Sequence, residues 1–521
     1  MQSKNHLLIV ILLLVNLAQA QTVGVSFKTV IGPKMEEKER RSAGAFINTD
    51  AAGNIYYIKS NINSAYKTIY SLDKLDKGLK LVQSKPLSLE THAKNKLAIF
   101  LDIFRNKSNG RTYLIGIDES GATAAVSALE IKTADLSVAN SGKLLDNAPK
   151  TGGQHWVHRD LLVSPDSTTF AYLTRVSDDA FDGRSGAGAS YHVAIFNDEL
   201  NVKWSGDIKL PFNKGEAAIK EVCLSNDGQL SFLALTSVGK KLSNDLPTYM
   251  DYTNLQWKLL TVKNGDVKTT DLNIKEGNIS IARLLAGKNN VIVTGFYGKG
   301  RGENVQGVFV LNVITGAIGE VKQSTSPLPE NFLVKKLKTE DMRIEWPWWS
   351  WNMSNVLTLE DGTMAWTAEQ RYKAGAGDAT YYRDLNAIVV YINKDISIDK
   401  VLQFPKEQCY NGNFVSVPTA PFVYKNNFYL LYLDKAENAN RNTNGTIKVW
   451  NEIKRDMACV MLGKMERDGT FTKGVVVAEN ADNEMLNAET ITPVGNGSYL
   501  FWEPSNAFHR RSYAFKIDLG Q

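Results

Sequence analysis

The sequence predicts an all-β protein, a single β-propeller of four-stranded blades with eight blades preferred. Three features predict it: a hairpin pattern that recurs eight times, a near absence of long amphipathic helical patterns, and two chain ends that complement one another.

Residues 1–20 read as an export signal. Lys4 supplies the positive start, residues 7–15 form an apolar run, and Ala18-Gln19-Ala20 places small residues where a signal peptidase cuts. The mature chain is expected to begin at Gln21 and to form one propeller domain over 21–521. The apolar run is too short to span a bilayer, which takes roughly twenty residues, so no membrane insertion is expected. No cysteine lies beside the cut to carry a lipid. The expected location is periplasmic or secreted.

Next come eight hairpins, each an apolar run entering a tight polar turn and a second apolar run leaving it. In order they are AFINTDAAGNIYYI, FLDIFRNKSNGRTYLIGI, DLLVSPDSTTFAYL, EVCLSNDGQLSFLAL, ARLLAGKNNVIVTGF, NVLTLEDGTMAW, PFVYKNNFYLLYL and ITPVGNGSYLFW. Their turns centre on Gly53, Asn109, Ser167, Gly228, Lys288, Asp361, Asn426 and Asn496, a spacing close to regular. Two further strand-like runs follow most hairpins, such as YHVAIFN then VKWSGDIKL, which makes four strands per unit. Four antiparallel strands repeated radially form the blade of a propeller. The best helical candidate is short, residues 328–338.

After its hairpin the eighth unit retains only RSYAFKIDL and is one strand short. The stretch TVGVSFKTVI near the mature N-terminus is unassigned and is expected to pair there, clasping first blade to last. Seven blades plus an extra hairpin is the nearest alternative, followed by two smaller β domains. No proline- or serine-rich linker divides the chain.

The turns in SPDSTTFAYL and LSNDGQLSFLAL resemble the Ser-Pro-Asp-Gly hairpins of periplasmic TolB-like and peptidase-associated propellers. The stretch WTAEQRY followed by YYRDLNAIVVYI resembles a segment of secreted bacterial propeller proteins of unknown function, a likeness that loosely covers 279–518. These resemblances imply export and fold and carry no activity. Sialidase-like propellers repeat a Ser-x-Asp-x-Gly-x-Thr-Trp turn, whereas aspartate and glycine are adjacent in SNDGQLSF and LEDGTMAW.

In a propeller, the loops joining first to second and third to fourth strands lie on one face, and the remaining loops lie on the other. The first set reads short, as in SNDGQ and ERDGT. The second set holds the long irregular stretches 176–190, 237–254, 373–384 and 435–455 within blades, and 147–158, 323–350 and 406–416 between them. Long loops on a rigid scaffold are where binding chemistry concentrates. That face is therefore expected to recognise a protein, peptide or glycan.

Within it, RIEWPWWSWNMS offers Trp346, Trp348, Trp349 and Trp351 as flat apolar surfaces, with Arg343 and Glu345 adding charge. Indoles stacked on sugar rings would make a carbohydrate site; the same indoles could instead seal a junction between blades. Tyr372, Tyr382, His155 and His158 join the ligand-binding candidates. The two histidines lack a second cluster to complete a metal set, and no metal site is expected. Asp178, Asp179 and Asp182 could hold calcium through oxygen ligands but do not match the helix-loop-helix pattern. Glu345, Glu369, Asp384 and Glu503 are the catalytic candidates for an alternative carbohydrate-active hydrolase or lyase, in which two carboxylates about 5–10 Å apart cleave a glycosidic bond.

Other classes are disfavoured. The net charge is +5 and falls to +4 without Lys4, and the densest basic run, 34–41, interleaves glutamates, so nucleic acid is not an expected partner. There is no G-x-S-x-G elbow, phosphate loop or dinucleotide fingerprint; GKGRGEN lacks the spacing. Cys223, Cys409 and Cys459 allow at most one disulfide, and Cys223 and Cys459 read as buried strand residues. A monomer without a cofactor is expected.

Overall fold

The computed structural model describes residues 25–33, 35–36, 41–62, 68–87, 99–106, 109–118, 123–139, 142–148, 159–176, 190–212, 216–237, 255–287, 290–298, 305–314, 321–328, 348–374, 381–406, 408–411, 419–438, 450–451, 458–480, 491–503 and 511–520. They form an eight-bladed β-propeller of four-stranded antiparallel blades. Helix among the described residues is limited to one 3-10 turn, Ala436–Asn438. The helical candidate 328–338 lies outside them except for Leu328.

The eight hairpins occupy the positions expected of them, as the first and second strands of the eight blades. In blade 3 the strands run Arg159–Val163, Thr169–Val176, Ser190–Asn197 and Val202–Lys209, hydrogen-bonded in that order. Their tight turns force backbone into the left-handed region, which explains the glycines and small polar residues: φ is 81° at Gly53, 60° at Ser167, 81° at Gly228, 82° at Gly362 and 51° at Asn496.

Second strands are nearly continuous apolar runs because both their faces are buried. Phe170 and Tyr172 pack with Phe104 and Ile115 of blade 2, while the alternate residues Ala171 and Leu173 pack with Phe232 and Leu260 of blade 4. The core is thus divided among the blade junctions, each buried Phe, Leu or Val side chain contributing about 1.5–3 kcal/mol. The junction of blades 8 and 1 closes the ring: Leu500 and Ala514 pack against Ile55, Tyr57, Leu75 and Leu79.

The predicted clasp is present. Lys28–Ile31 pairs antiparallel with the strand Arg511–Asp518, in register from Lys28 opposite Asp518 to Ile31 opposite Phe515. It forms the outermost strand of blade 8, continued by Met35–Glu36 opposite Ser512 and Arg511. Val25 enters the core between blades 7 and 8.

Turns on one face also knit neighbouring blades. The backbone N–H of Asp166 donates to Asn226 Oδ1 at 3.3 Å, and that of Asp361 donates to Asn426 Oδ1 at 2.9 Å. Arg467 reaches from blade 7 to Asp399 of blade 6 at 2.6 Å. These contacts tie blade 3 to blade 4 and blade 6 to blade 7 on this face.

Candidate binding face

Strand order fixes which connections emerge where. Those from first to second and from third to fourth strands form the lower face, and none exceeds the six residues of 106–111 or 315–320. The other strand ends emerge on the opposite, upper side and bound the stretches 177–189, 238–254, 328–347 and 435–457. The strand ends that bound the long stretches expected from the sequence therefore lie on one side of a closed ring. Most residues of these long connections lie outside the described set, among them Arg343, Glu345, Trp346, His155, His158, Asp178, Asp179 and Asp182.

Blade 6 departs from the sequence reading in an informative way. Residues 373–384 are expected to be loop, yet the second and third strands run Met364–Ala374 and Tyr381–Ile392, leaving only 375–380 between them. The tyrosines at these ends, Tyr372, Tyr381 and Tyr382, favour extended backbone, and the pairing carries the strands beyond the ring's usual strand length. Trp348–Met353 likewise forms part of the innermost strand, where a loop was expected. Gln408–Asn411 extends the fourth-strand position, and Trp450–Asn451 adds parallel to it from the blade-7 connection.

The register sets candidate residues side by side in the backbone. Trp348 lies opposite Lys373, which lies opposite Tyr382, which lies opposite Tyr410; one step along, Trp349, Tyr372 and Arg383 form the next row. Asp384 pairs with Arg371 and Gln408. Glu503 lies in blade 8, opposite Tyr513 and in a different sheet from the rest. The structure thus brings Trp348, Trp349, Tyr372, Tyr382 and Asp384 to the upper end of one blade.

Trp351 is a core residue, 7% exposed, with its ring 4.6 Å from Phe296 of blade 5. It seals a junction, as the second reading of the indoles anticipates. Glu369 is also buried, at 1% exposure, between blades 6 and 7. Its carboxylate is 3.1 Å from Lys406 Nζ and accepts a hydrogen bond from Thr419 Oγ1. Lys406 donates to Gln408 Oε1 at 2.7 Å, and Gln408 donates to the Leu433 carbonyl at 2.6 Å. Close by, burial pushes the Asp434 carboxyl up to about 6, against hydrogen bonds from Asn438 and the Lys435 N–H. Sequence reasoning missed Lys406 and Asp434, because nothing in a lysine or an aspartate marks it as interior.

A second ionic junction, also missed, joins blades 2 and 3. His192 Nδ1 is 2.7 Å from Asp207 Oδ1, and its Nε2 is 2.7 Å from Asp146 Oδ2. Burial opposes a charge on this ring, but the two carboxylate hydrogen bonds outweigh it and raise the pKa above its ordinary 6.5. A raised base contributes stability that is complete below 6.5 and is lost as the pH climbs through the folded-state value. Unfolding free energy should therefore fall by about 1–2 kcal/mol on the alkaline side of that value, since Asp207 is largely exposed and only Asp146 is shielded. A urea-unfolding series against pH checks this, and in His192→Asn the dependence should be flat.

Around the channel, Arg283 of blade 5 pairs with Glu221 of blade 4 and donates to the Met353 carbonyl of blade 6 at 2.6 Å. Lys220 sits at a bulge in the innermost strand of blade 4, and loss of surrounding water lowers its pKa. Cys223 and Cys459 are free thiols, and burial pushes Cys223 up to about 12. Among the described residues, no three His, Cys, Asp or Glu side chains are grouped to hold a metal ion.

No family model and no curated protein sequence matches the chain. Among solved structures, similarity extends to the WD40 domain of SCAP from fission yeast, at 9% identity over 95% of each chain with a TM-score of 0.40. It extends also to polysaccharide lyase Uly1, at 13% identity over 68% of this chain and 78% of that one, TM-score 0.36. A third is the β-propeller domain of the Trilobed protease from Pyrococcus furiosus, at 9% identity over 86% and 96%, TM-score 0.33. These likenesses are too distant to transfer a ligand or a reaction.

Proposed function

We propose that this protein is an exported, non-catalytic binding propeller that recognises a protein, peptide or glycan on its upper face. The observation that carries the reading is that the strand ends bounding every connection longer than six residues lie on one side of the closed ring. Unselected insertions would lengthen turns on both faces; a recognition surface collects them on one. The extended upper end of blade 6 supports it, because its backbone rows gather Trp348, Trp349, Tyr372 and Tyr382. Burial of Glu369 in an ion pair removes one carboxylate from the set that an open glycosidase site would need.

The test uses exported protein, whose mass should place the first residue at Gln21. Peptide and glycan arrays are probed with it and with variants in which 177–189 or 238–254 is replaced by a short Gly-Asn turn. Upper-face recognition predicts at least a tenfold loss of array binding with an unfolding midpoint close to that of the parent. Retention of binding by both variants would sink the proposal, as would turnover of a bound polysaccharide.

A further inference from the structure

We infer that the upper end of blade 6 takes an acidic glycan, one whose sugar rings carry carboxylates; this rests on the upper-face reading and names its ligand. The second and third strands of this blade have 11 and 12 residues, whereas the second strands of the other blades have 6–9. The surplus lies at the upper end, where Gln408–Asn411 and Trp450–Asn451 widen the sheet to five strands.

Residues opposite one another on adjacent strands share a face of the sheet. Trp348, Lys373, Tyr382 and Tyr410 form such a row. The next row, Trp349, Tyr372, Arg383 and Cys409, belongs to the other face, because faces alternate along a strand. Adjacent strands stand about 4.8 Å apart, so the first row spans about 14 Å of backbone from Trp348 to Tyr410. That is the reach of an oligosaccharide rather than of a single sugar.

Residue types narrow the class. Indole and phenol rings offer flat apolar surface, which suits the C–H face of a pyranose. Each row also holds one cation and no acid: Lys373 among three aromatic residues, Arg383 beside two. Asp384, one row further down, is already opposite Arg371 in register. A neutral glycan would leave the charges of Lys373 and Arg383 uncompensated, whereas a ring carboxylate answers them, and a guanidinium takes a carboxylate through two parallel hydrogen bonds. Two cations are too few for a nucleic acid, whose binding track neutralises a run of phosphates. An acidic peptide would satisfy the charges but gives the aromatic row no sugar faces to stack on.

The experiment titrates the full exported chain by calorimetry with oligogalacturonate, with an uncharged cello-oligosaccharide of the same length, with polyglutamate and with oligothymidylate. The expected result is millimolar or tighter binding of oligogalacturonate, about tenfold tighter than the neutral chain and weakening as salt is added. Lys373→Gln and Arg383→Gln should each weaken it about tenfold with unchanged unfolding midpoints, and Lys373→Arg should retain it. Comparison of the acidic with the neutral chain needs no substitution, so the test stands even if a variant folds poorly. Equal affinity for the two chains, tighter binding of polyglutamate or oligothymidylate, or indifference to both glutamine substitutions would each overturn the inference. Array binding that is lost on shortening 177–189 or 238–254, in protein that does not bind oligogalacturonate, overturns this inference alone and leaves the upper-face reading standing.

Discussion

Lys406→Met should destabilise the protein by about 3–5 kcal/mol at neutral pH, because it strands the Glu369 carboxylate inside the junction of blades 6 and 7. Lys406 and Glu369 are 0% and 1% exposed, so water cannot replace the lost partner. The same ammonium also helps hold Asp434 ionised, and its removal raises a pKa that already stands at about 6. The sign follows from linkage: an acid raised in the folded state binds its proton there more readily than in the unfolded chain. Stability therefore falls as pH rises from 3.8 through the folded-state value and is level above it. The deficit of Lys406→Met should accordingly be largest at neutral pH and shrink under mildly acid conditions. Pairing it with Glu369→Leu should recover most of the loss, since an apolar pair of similar volume is no worse than a buried ion pair. Urea unfolding of the three variants measures all of this; a single-variant loss below about 1 kcal/mol would show that the pair is open to solvent.

That junction also shows where sequence reading stops. The hairpins were legible because a strand buried on both faces is an apolar run and its turn needs left-handed backbone, so FAYL or SFLAL beside Asp, Gly or Asn is enough. Closure was legible too, since a blade ending at RSYAFKIDL lacks one strand and only the segment containing Lys28–Ile31 was left to supply it. Lys406, Glu369 and Thr419 were not, because they meet only when blades 6 and 7 pack, and a buried pair uses the residue types of a surface pair. His192 with Asp146 and Asp207 was hidden for the same reason. The run EWPWWSW reads as loop from its proline, while the register makes strand of Trp348–Met353. The upper face was legible as a place, from connection lengths.

A loss of the same size is expected at Trp366, the biggest of the fully buried side chains among the described residues. It stands in the second strand of blade 6, packs edge-on against Phe296 of blade 5 with ring centroids 5.4 Å apart, and donates its indole N–H to Thr294 Oγ1 at 3.1 Å. The Phe296 ring in turn lies tilted against Trp351 with centroids 4.6 Å apart, so one cluster ties the innermost strand of blade 6 to blade 5. Trp366→Ala should cost about 3–5 kcal/mol through lost burial and the cavity left behind. Trp366→Phe should cost less, because Thr294 Oγ1 keeps its own donation to the Phe309 carbonyl at 2.7 Å. The consequence for function follows from the strand itself: Trp351 and Trp348 belong to one segment, Trp348–Met353, and the Trp366 cluster anchors it. If the upper end of blade 6 contributes to recognition, Trp366→Phe should weaken array binding as well as stability, whereas an equally destabilising substitution at the junction of blades 3 and 4, Phe232→Leu, should affect stability alone. Equal binding by the two variants would remove blade 6 from the recognition surface while leaving the ring intact.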